Sequence, residues 1–179
     1  KNLLKTNACE LIGSGYSQII GPLVPHEVNQ WNQKLGIQTY LEILDERPET
    51  ALVNEMAYSS GLIEHYINNG YNNIIMEINN SFDLNINWKN NRPSKVENQF
   101  GKSMNIIWAD SIAFQKFQRY VSNEESFENY NLFIKNYSYE FMPLYSSDAE
   151  IFDYRPGRFK EESTMSDSIS EWNLIEKIY

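Results

Sequence analysis

Two acidic residues each follow a short apolar run and precede a helix-like stretch. Glu55 closes a run that begins at Ala51, and Asp110 follows a run that begins at Met104. Short apolar runs bounded by turns are typical of buried strands, and carboxylates at the carboxyl ends of parallel strands line enzyme clefts. Two such acids can act as nucleophile and proton donor in the cleavage of a glycosidic bond. In enzymes that retain the configuration of the anomeric carbon, the two carboxyl groups are about 5–5.5 Å apart.

Both acids also suit structural roles. A helix-terminus role is open for Glu55, although Val53 and Met56 on either side favour partial desolvation, a cost usually kept for a function. Asp110 directly precedes a predicted helix, where Asp is a favoured N-cap. Trp108 is expected on the same strand face as Asp110, where its ring would limit hydration of the carboxyl group and suit a proton donor.

Three further acids lie in strand-like contexts. Glu10 stands inside an apolar run before Gly-Ser-Gly, so it either points into a barrel, to bind a sugar hydroxyl or orient the nucleophile, or lies on an edge strand. Asp148 and Glu150 are two positions apart and would share one strand face. Arg155 and Arg158 either neutralise this pair or bind substrate.

The order of predicted elements favours an α/β fold. Helix-like stretches alternate with strand-like runs, which predicts a parallel sheet with helices outside it. The strands are expected at 9–13, 51–54, 73–78, 103–108 and 140–145, with 79–101 as a long irregular loop. The helices are expected from Pro25, where Val28, Trp31 and Leu35 recur at helical spacing, over 39–44 after an interruption at Gly36, and over 59–69, 111–121, 124–136 and 168–179. Five strands are too few for a closed eight-stranded barrel, so an incomplete or smaller barrel is expected.

Composition narrows the class of partner. The 179 residues carry a net charge of -9, which argues against nucleic acid because its phosphates would be repelled. No apolar stretch approaches the roughly 20 residues of a membrane helix. Cys9 is the only cysteine, so a reducing compartment is favoured and a cytoplasmic location is expected. The abundant aromatic side chains suit either a core or stacking platforms for sugar rings.

Metal and cofactor chemistry find little support in the sequence. The two histidines, His26 and His65, fall in different predicted helices and have no partner at metal-ligand spacing. A Gly-rich phosphate loop and a nucleophile elbow are also missing. We therefore expect no cofactor and no metal. A metal-dependent polysaccharide deacetylase, which needs an Asp and two His converging on a metal, remains an alternative.

Four segments taken in order resemble conserved regions of the family-57 glycoside hydrolases, which include α-amylases, 4-α-glucanotransferases and branching enzymes. The segments are 9–25, 52–59, 107–111 and 147–152. The resemblance implies an incomplete seven-stranded β/α barrel and retaining chemistry without a metal on an α-glucan-like polysaccharide. It makes Glu55 the nucleophile and Asp110 the general acid/base. The substrate-binding residues are then expected to be Glu10, Tyr16, Trp108, Asp148 and Glu150.

The chain departs from that family in three places. The family's first conserved region, a His-containing strand, and most of the helical segment after the barrel have no counterpart here. Residues 1–179 are therefore expected to be part of one catalytic barrel domain, with the rest of that domain and a carbohydrate as partners. Gln18 and Ile19 stand where many members have His-Pro. A non-catalytic carbohydrate-binding remnant of the barrel is the other alternative.

Overall fold

The computed structural model describes residues 2–80, 93–98, 100–121, 123–136, 144–146 and 171–178. The helices and strands in chain order are α1 (Asn2–Lys5), β1 (Ile12–Gly13), α2 (His26–Leu44), β2 (Thr50–Leu52), α3 (Leu62–Asn68), β3 (Asn73–Glu77), β4 (Ser94–Glu97), β5 (Ser103–Ala109), α4 (Ser111–Val121), α5 (Phe127–Asn136) and α6 (Glu171–Ile175). Within the described residues, no helix is both long and apolar enough to cross a membrane.

The chain divides into two compact units. The first comprises Lys1–Ile86 and Arg92–Trp108, and the second comprises Asn87–Asn91 and Ala109–Tyr179.

The sheet has five strands in the order β1-β2-β3-β5-β4. β1, β2 and β3 are parallel, whereas β4 is antiparallel to β5. This mixed α/β arrangement confirms the fold class predicted from the sequence.

The predicted strands differ from the observed ones in one important respect. Four of the predicted runs contain or overlap β1, β2, β3 and β5. β4, however, lies within the segment predicted to be an irregular loop. Its sequence is Ser-Lys-Val-Glu, and it is partly exposed, so it lacks the apolar run that identifies a buried strand. Of the fifth predicted strand, Leu144 forms a parallel bridge with Ala109, and 140–143 lie outside the described residues.

α2 is one continuous helix of 19 residues, although an interruption at Gly36 was predicted. Gly36 is buried, and a Cβ atom there would lie 2.7 Å from the carbonyl carbon of Gly15. Glycine is therefore needed for close contact between two backbones, and the helix continues through it. The buried residues of α2 are mostly polar, namely Asn29, Asn32, Gln33, Gly36 and Ile37. The apolar residues at helical spacing, Val28, Trp31 and Leu35, are exposed.

The core of the first unit lies between one face of the sheet and the helices. Alternate strand residues point to this face, as the two-residue period of a strand requires. They include Ala51, Val53, Ile74, Met76, Met104, Ile106 and Trp108, and they pack with Ile37, Ile63 and Tyr66 from α2 and α3. Removal of this apolar surface from water is the main force that holds the helices against the sheet.

The other face of the sheet carries a row of hydrogen-bonded polar side chains. The Thr50 hydroxyl donates to Oε1 of Glu10 at 3.2 Å. The Asn73 side-chain amide donates to Oγ1 of Thr50 at 3.2 Å, and the Asn105 amide donates to Oδ1 of Asn73 at 2.9 Å. The row therefore runs from the residues before β1 across β2 and β3 to β5.

The second unit has its own aromatic core. Its buried residues come from α4, α5 and α6 and are Phe114, Phe117, Tyr120, Val121, Tyr130, Leu174 and Ile175. The Tyr120 hydroxyl donates to the Leu174 carbonyl oxygen at 3.0 Å, so it connects α4 to α6. The hydroxyls of Tyr130 and Tyr145 are 2.7 Å apart. The buried hydroxyls of Tyr120 and Tyr130 therefore each have a partner, which avoids the cost of burying an unpaired polar group.

A buried histidine of α3 faces α2. His65 is 4% exposed, and its ring centroid is 4.4 Å from that of His26. Burial lowers the pKa of His65, the nearby His26 lowers it further, and Glu64 opposes these effects. The two histidines thus meet in space although they lie in different helices.

Replacement of Gly36 by Ala should destabilise the fold. Alanine favours a helix over glycine by about 1 kcal/mol, but the new methyl group would meet the backbone of Gly15, which cannot rotate away. We expect the free energy of unfolding to fall by about 1–2 kcal/mol, measured by urea denaturation. Gly61→Ala is the control, since a Cβ atom there has no neighbour within 4 Å. Equal effects of the two substitutions would contradict the backbone contact.

Stability should depend on pH through His65. Its pKa in the folded state lies below the ordinary value of 6.5, so the unfolded chain binds more protons at mildly acidic pH. The stability that neutral His65 contributes is present above pH 6.5 and is lost as the pH falls through the lowered pKa. Urea denaturation from pH 7.5 to 5 should show that the difference between wild type and His65→Gln shrinks with acidification. A pH-independent difference would refute this dependence.

Candidate active site

Glu55 lies on a strained turn directly after β2. The turn is a short 3-10 segment, Asn54–Met56. Glu55 has φ 54° and Met56 has φ 50°, so two consecutive residues other than glycine adopt the left-handed conformation. Each such residue costs on the order of 1–3 kcal/mol, and such strain clusters at functional sites. The surrounding structure must therefore hold this turn.

Hydrogen bonds from three directions hold the turn. The Asn54 side chain is buried, and its amide donates to the carbonyl oxygen of Ser17 at 3.3 Å. The Val53 amide donates to the Ile75 carbonyl at 3.2 Å, which continues the pairing with β3. The Asn80 side-chain amide donates to the carbonyl oxygen of Met56 at 2.8 Å. These contacts fix the backbone on both sides of Glu55.

The flanking residues Val53 and Met56 suggested a partly desolvated carboxylate, but Glu55 is exposed. The side-chain amide of Gln18 donates a hydrogen bond to Oε1 of Glu55. α3 begins only at Leu62, so a helix-terminus role does not fit Glu55. The geometry gives an accessible carboxylate at the carboxyl end of a parallel strand, with one oxygen held by an amide.

Asn32 fixes the loop that carries Gln18. Its side-chain oxygen accepts from the Ser17 amide at 2.7 Å, and its side-chain amide donates to the Ser17 carbonyl at 3.0 Å. The Asn32 carbonyl oxygen also accepts from the Tyr16 amide at 3.0 Å. We call these three bonds the Asn32 clamp. Tyr16 itself is 61% exposed, which is the placement that an aromatic platform for a sugar ring requires.

Glu10 and Glu55 lie at opposite ends of β2. Glu10 contacts Thr50, the first residue of β2, whereas Glu55 follows the last residue of that strand. Glu10 is exposed and lines an open cleft of about 530 Å³, together with Cys9, Glu46, Arg47 and Glu49 among others. The structure thus does not bring Glu10 to the Glu55 turn.

Trp108 lies in the core of the first unit. Its ring is 3% exposed, and its indole N–H donates to the hydroxyl oxygen of Ser94 on β4 at 3.1 Å. The ring packs with Met104 and Ile106, and the polar edge is used within the sheet. Its contribution in this structure is therefore to packing and to the attachment of β4.

Asp110 caps α4 in the second unit. It is 3% exposed, and its Oδ1 accepts from the backbone amides of Ile112 and Ala113, each at 3.0 Å. These are the bonds of an N-cap residue. The structural role considered from the sequence is thus present, and a catalytic role for the same carboxyl group stays a prediction. Asp148 and Glu150, with Arg155 and Arg158, lie outside the described residues.

The described residues contain no group of three or more His, Cys, Asp and Glu side chains placed to hold a metal ion. The two histidines are in ring contact, but the described part of the chain provides no carboxylate and histidine set of the kind that a metal-dependent deacetylase needs. That alternative therefore gains no support from this geometry.

Sequence reasoning missed the amide side chains around Glu55. In the sequence, Gln18 stands out only as a departure from a family pattern, and nothing distinguishes Asn32, Asn54 and Asn80 from the many other asparagines. All four act on the turn or on the loop beside it. The available signal was the abundance of Asn in the chain. Which of many amides converge depends on long-range packing, which the sequence does not display.

Comparison with known proteins gives one family match. The sequence model of glycosyl hydrolase family 57 matches residues 1–173. No curated protein matches the chain.

Three solved structures are similar to the chain. A 4-α-glucanotransferase from Thermococcus litoralis has a TM-score of 0.66 and 13% identity, over 83% of this chain and 23% of that one. An α-amylase from Thermotoga maritima has a TM-score of 0.55 and 16% identity, over 65% and 23%. An exo-type maltose-forming amylase from Pyrococcus sp. ST04 has a TM-score of 0.54 and 15% identity, over 78% and 25%. The chain thus spans about a quarter of each structure, and the likeness confirms the predicted fold, part of a β/α barrel.

Relief of strain at Glu55 should stabilise the fold. Glycine adopts positive φ at no steric cost, so Glu55→Gly should have a higher free energy of unfolding than Glu55→Ala, by about 1 kcal/mol. Both substitutions remove the carboxylate, so the comparison isolates the backbone. Urea denaturation of the two variants measures the difference. An alanine variant as stable as the glycine variant would mean that residue 55 is not strained.

Proposed function

We propose, because this chain belongs to glycosyl hydrolase family 57, that it contributes the catalytic carboxylates of a retaining enzyme that hydrolyses or transfers α-linked glucan chains. The observation that carries the proposal is the exposed Glu55 carboxylate on its left-handed turn at the end of β2. The solved structures of similar fold are two amylases and a 4-α-glucanotransferase. They support an α-glucan as the substrate class.

Glu55 is the proposed nucleophile. Its free carboxylate oxygen attacks the anomeric carbon of the sugar, and the bond from that carbon to the leaving oxygen breaks. A covalent glycosyl-enzyme forms with inverted configuration, and a second inversion restores the original one. The strained turn suits this role because it fixes the carboxylate before substrate binds, which reduces the reorganisation needed during reaction.

Asp110 is the proposed general acid/base. In the first step its protonated carboxyl group donates a proton to the leaving oxygen. In the second step the carboxylate takes a proton from water, which gives hydrolysis, or from a sugar hydroxyl, which gives transfer. Burial and the two backbone donors at Oδ1 hold the carboxyl group in one orientation. No cofactor enters either step.

The proposal also includes residues that contact the sugar. Tyr16 is the proposed stacking platform, because its ring is exposed on the loop that carries Gln18. Asp148 and Glu150 remain proposed substrate-side residues on the basis of the family resemblance. The resemblance assigns Glu10 and Trp108 the same role, but Glu10 lies at the other end of β2 from Glu55 and Trp108 is buried. The remaining parts of a complete catalytic domain are the proposed protein partner.

Removal of the Glu55 carboxylate should abolish turnover and allow chemical rescue. We expect Glu55→Ala to lose at least about a thousandfold in kcat on maltooligosaccharides or an activated α-glucoside, since it removes the covalent step. Azide, a small anionic nucleophile, should restore activity and give a glycosyl azide of inverted configuration, identified by NMR of the product. Full activity of Glu55→Ala would assign the nucleophile elsewhere.

Asp110→Asn tests the second carboxyl group in the same assay. Asn caps a helix about as well as Asp, so this variant keeps the fold while it removes the proton donor. We expect a large loss of kcat/KM, which reports the first step, on maltooligosaccharides, and a smaller loss of kcat/KM on activated aryl glycosides, whose acidic phenol leaving groups need little protonation. Equal losses on both substrates would contradict the role of general acid. Saturable sugar binding by wild type without any cleavage would instead favour the non-catalytic remnant.

A further inference from the structure

We propose that Gln18 is a positioning residue for Glu55, an inference that rests on the proposed function. Its side-chain amide donates to Oε1 of the carboxylate. One oxygen is thereby occupied, and the carboxylate is held in the rotation that leaves the other oxygen to attack the anomeric carbon. Gln18 itself touches no reacting atom and acts through Glu55.

The position of Gln18 is set by its neighbour Ser17. Gln18 is exposed, and an exposed glutamine on a free loop would lose much side-chain entropy on forming this bond. The Asn32 clamp, however, fixes both the amide and the carbonyl of Ser17. Gln18 therefore starts from a fixed backbone, and only its own side chain has to be ordered.

Two parallel connections join this loop to the Glu55 turn. The first runs from the Asn54 side-chain amide to the Ser17 carbonyl at 3.3 Å, and the second runs from the Gln18 amide to Glu55. Residues 17 and 18 thus bind residues 54 and 55 pairwise. Such a double connection restricts the rotation of the carboxylate more than one bond would, because the loop and the turn cannot move independently.

The chemical type of residue 18 also matters. A glutamine amide donates at every pH at which the protein is folded, whereas a histidine in the same place would change charge near pH 6.5. The family resemblance places a histidine here in many members. In this chain, the side chain of residue 18 should therefore donate to Glu55 without any change in its own charge between acidic and neutral pH.

Kinetics of the full chain distinguish positioning from a structural role. We expect Gln18→Ala to lower kcat about tenfold, the loss typical of a hydrogen bond to a charged group, with little change in KM. In the Glu55→Ala background with azide, Gln18→Ala should have no further effect, because the group on which it acts is gone. Equal losses in both backgrounds would overturn the proposal.

Two further variants complete the kinetic test. Gln18→Glu should move the acidic limb of the pH–activity profile to higher pH, because two adjacent carboxylates repel each other when both are ionised. Gln38→Ala, at an exposed glutamine of α2, is the matched control and should leave kcat and the profile unchanged. An unshifted profile in Gln18→Glu would contradict direct contact with Glu55.

NMR of the side-chain amides tests the contact without any activity. The hydrogen-bonded amide proton of Gln18 should resonate downfield of the corresponding proton of Gln38, and Glu55→Ala should remove that displacement. If the displacement is present while wild type cleaves no α-glucan, the contact stands and the proposed function fails. If wild type is active but the displacement and the kinetic coupling are absent, the positioning role fails alone.

Discussion

The arrangement around Glu55 depends on one buried side chain, that of Asn32. Its side-chain amide group pairs with both the N–H and the C=O of Ser17. A residue of an adjacent antiparallel strand would make the same pair of bonds. The loop 14–18 therefore has a fixed path without belonging to regular structure. Its two connections to the Glu55 turn follow from that path, since residues 17 and 18 carry them.

The same requirement explains why α2 turns two of its polar residues, Asn29 and Asn32, inward. A buried amide is favourable only where its hydrogen bonds are made, and the loop beside α2 provides the partners for Asn29 and Asn32. Gly36 lets the helix approach closely enough for these bonds to form. The left-handed turn at Glu55 and Met56 then gains support that local preference does not give it, because neither residue type favours that conformation.

The sequence predicted those parts of the fold that depend on local pattern. The helix over 111–121 matches α4, and the apolar runs at 51–54, 73–78 and 103–108 mark β2, β3 and β5. The position of Glu55 at a strand end followed from the same pattern. The inward face of α2 was not predictable, because it is chosen by hydrogen bonds to a loop about fifteen residues away rather than by apolar spacing. β4 was missed for the related reason that pairing with β5, not an apolar run, makes it a strand.

The polar row across the sheet has a consequence for how the strands are aligned. In a strand, a shift by two residues leaves every side chain on its original face, so burial of the apolar face alone does not separate the correct alignment from one displaced by two positions. The bonds that link Thr50 to Asn73 and Asn73 to Asn105 do separate them, since a displaced strand would present a different side chain to each neighbour. Thr50, Asn73 and Asn105, all uncharged, thereby specify the register of β2, β3 and β5. Because Glu55 follows β2, this alignment also determines where its carboxylate lies relative to β3 and β5.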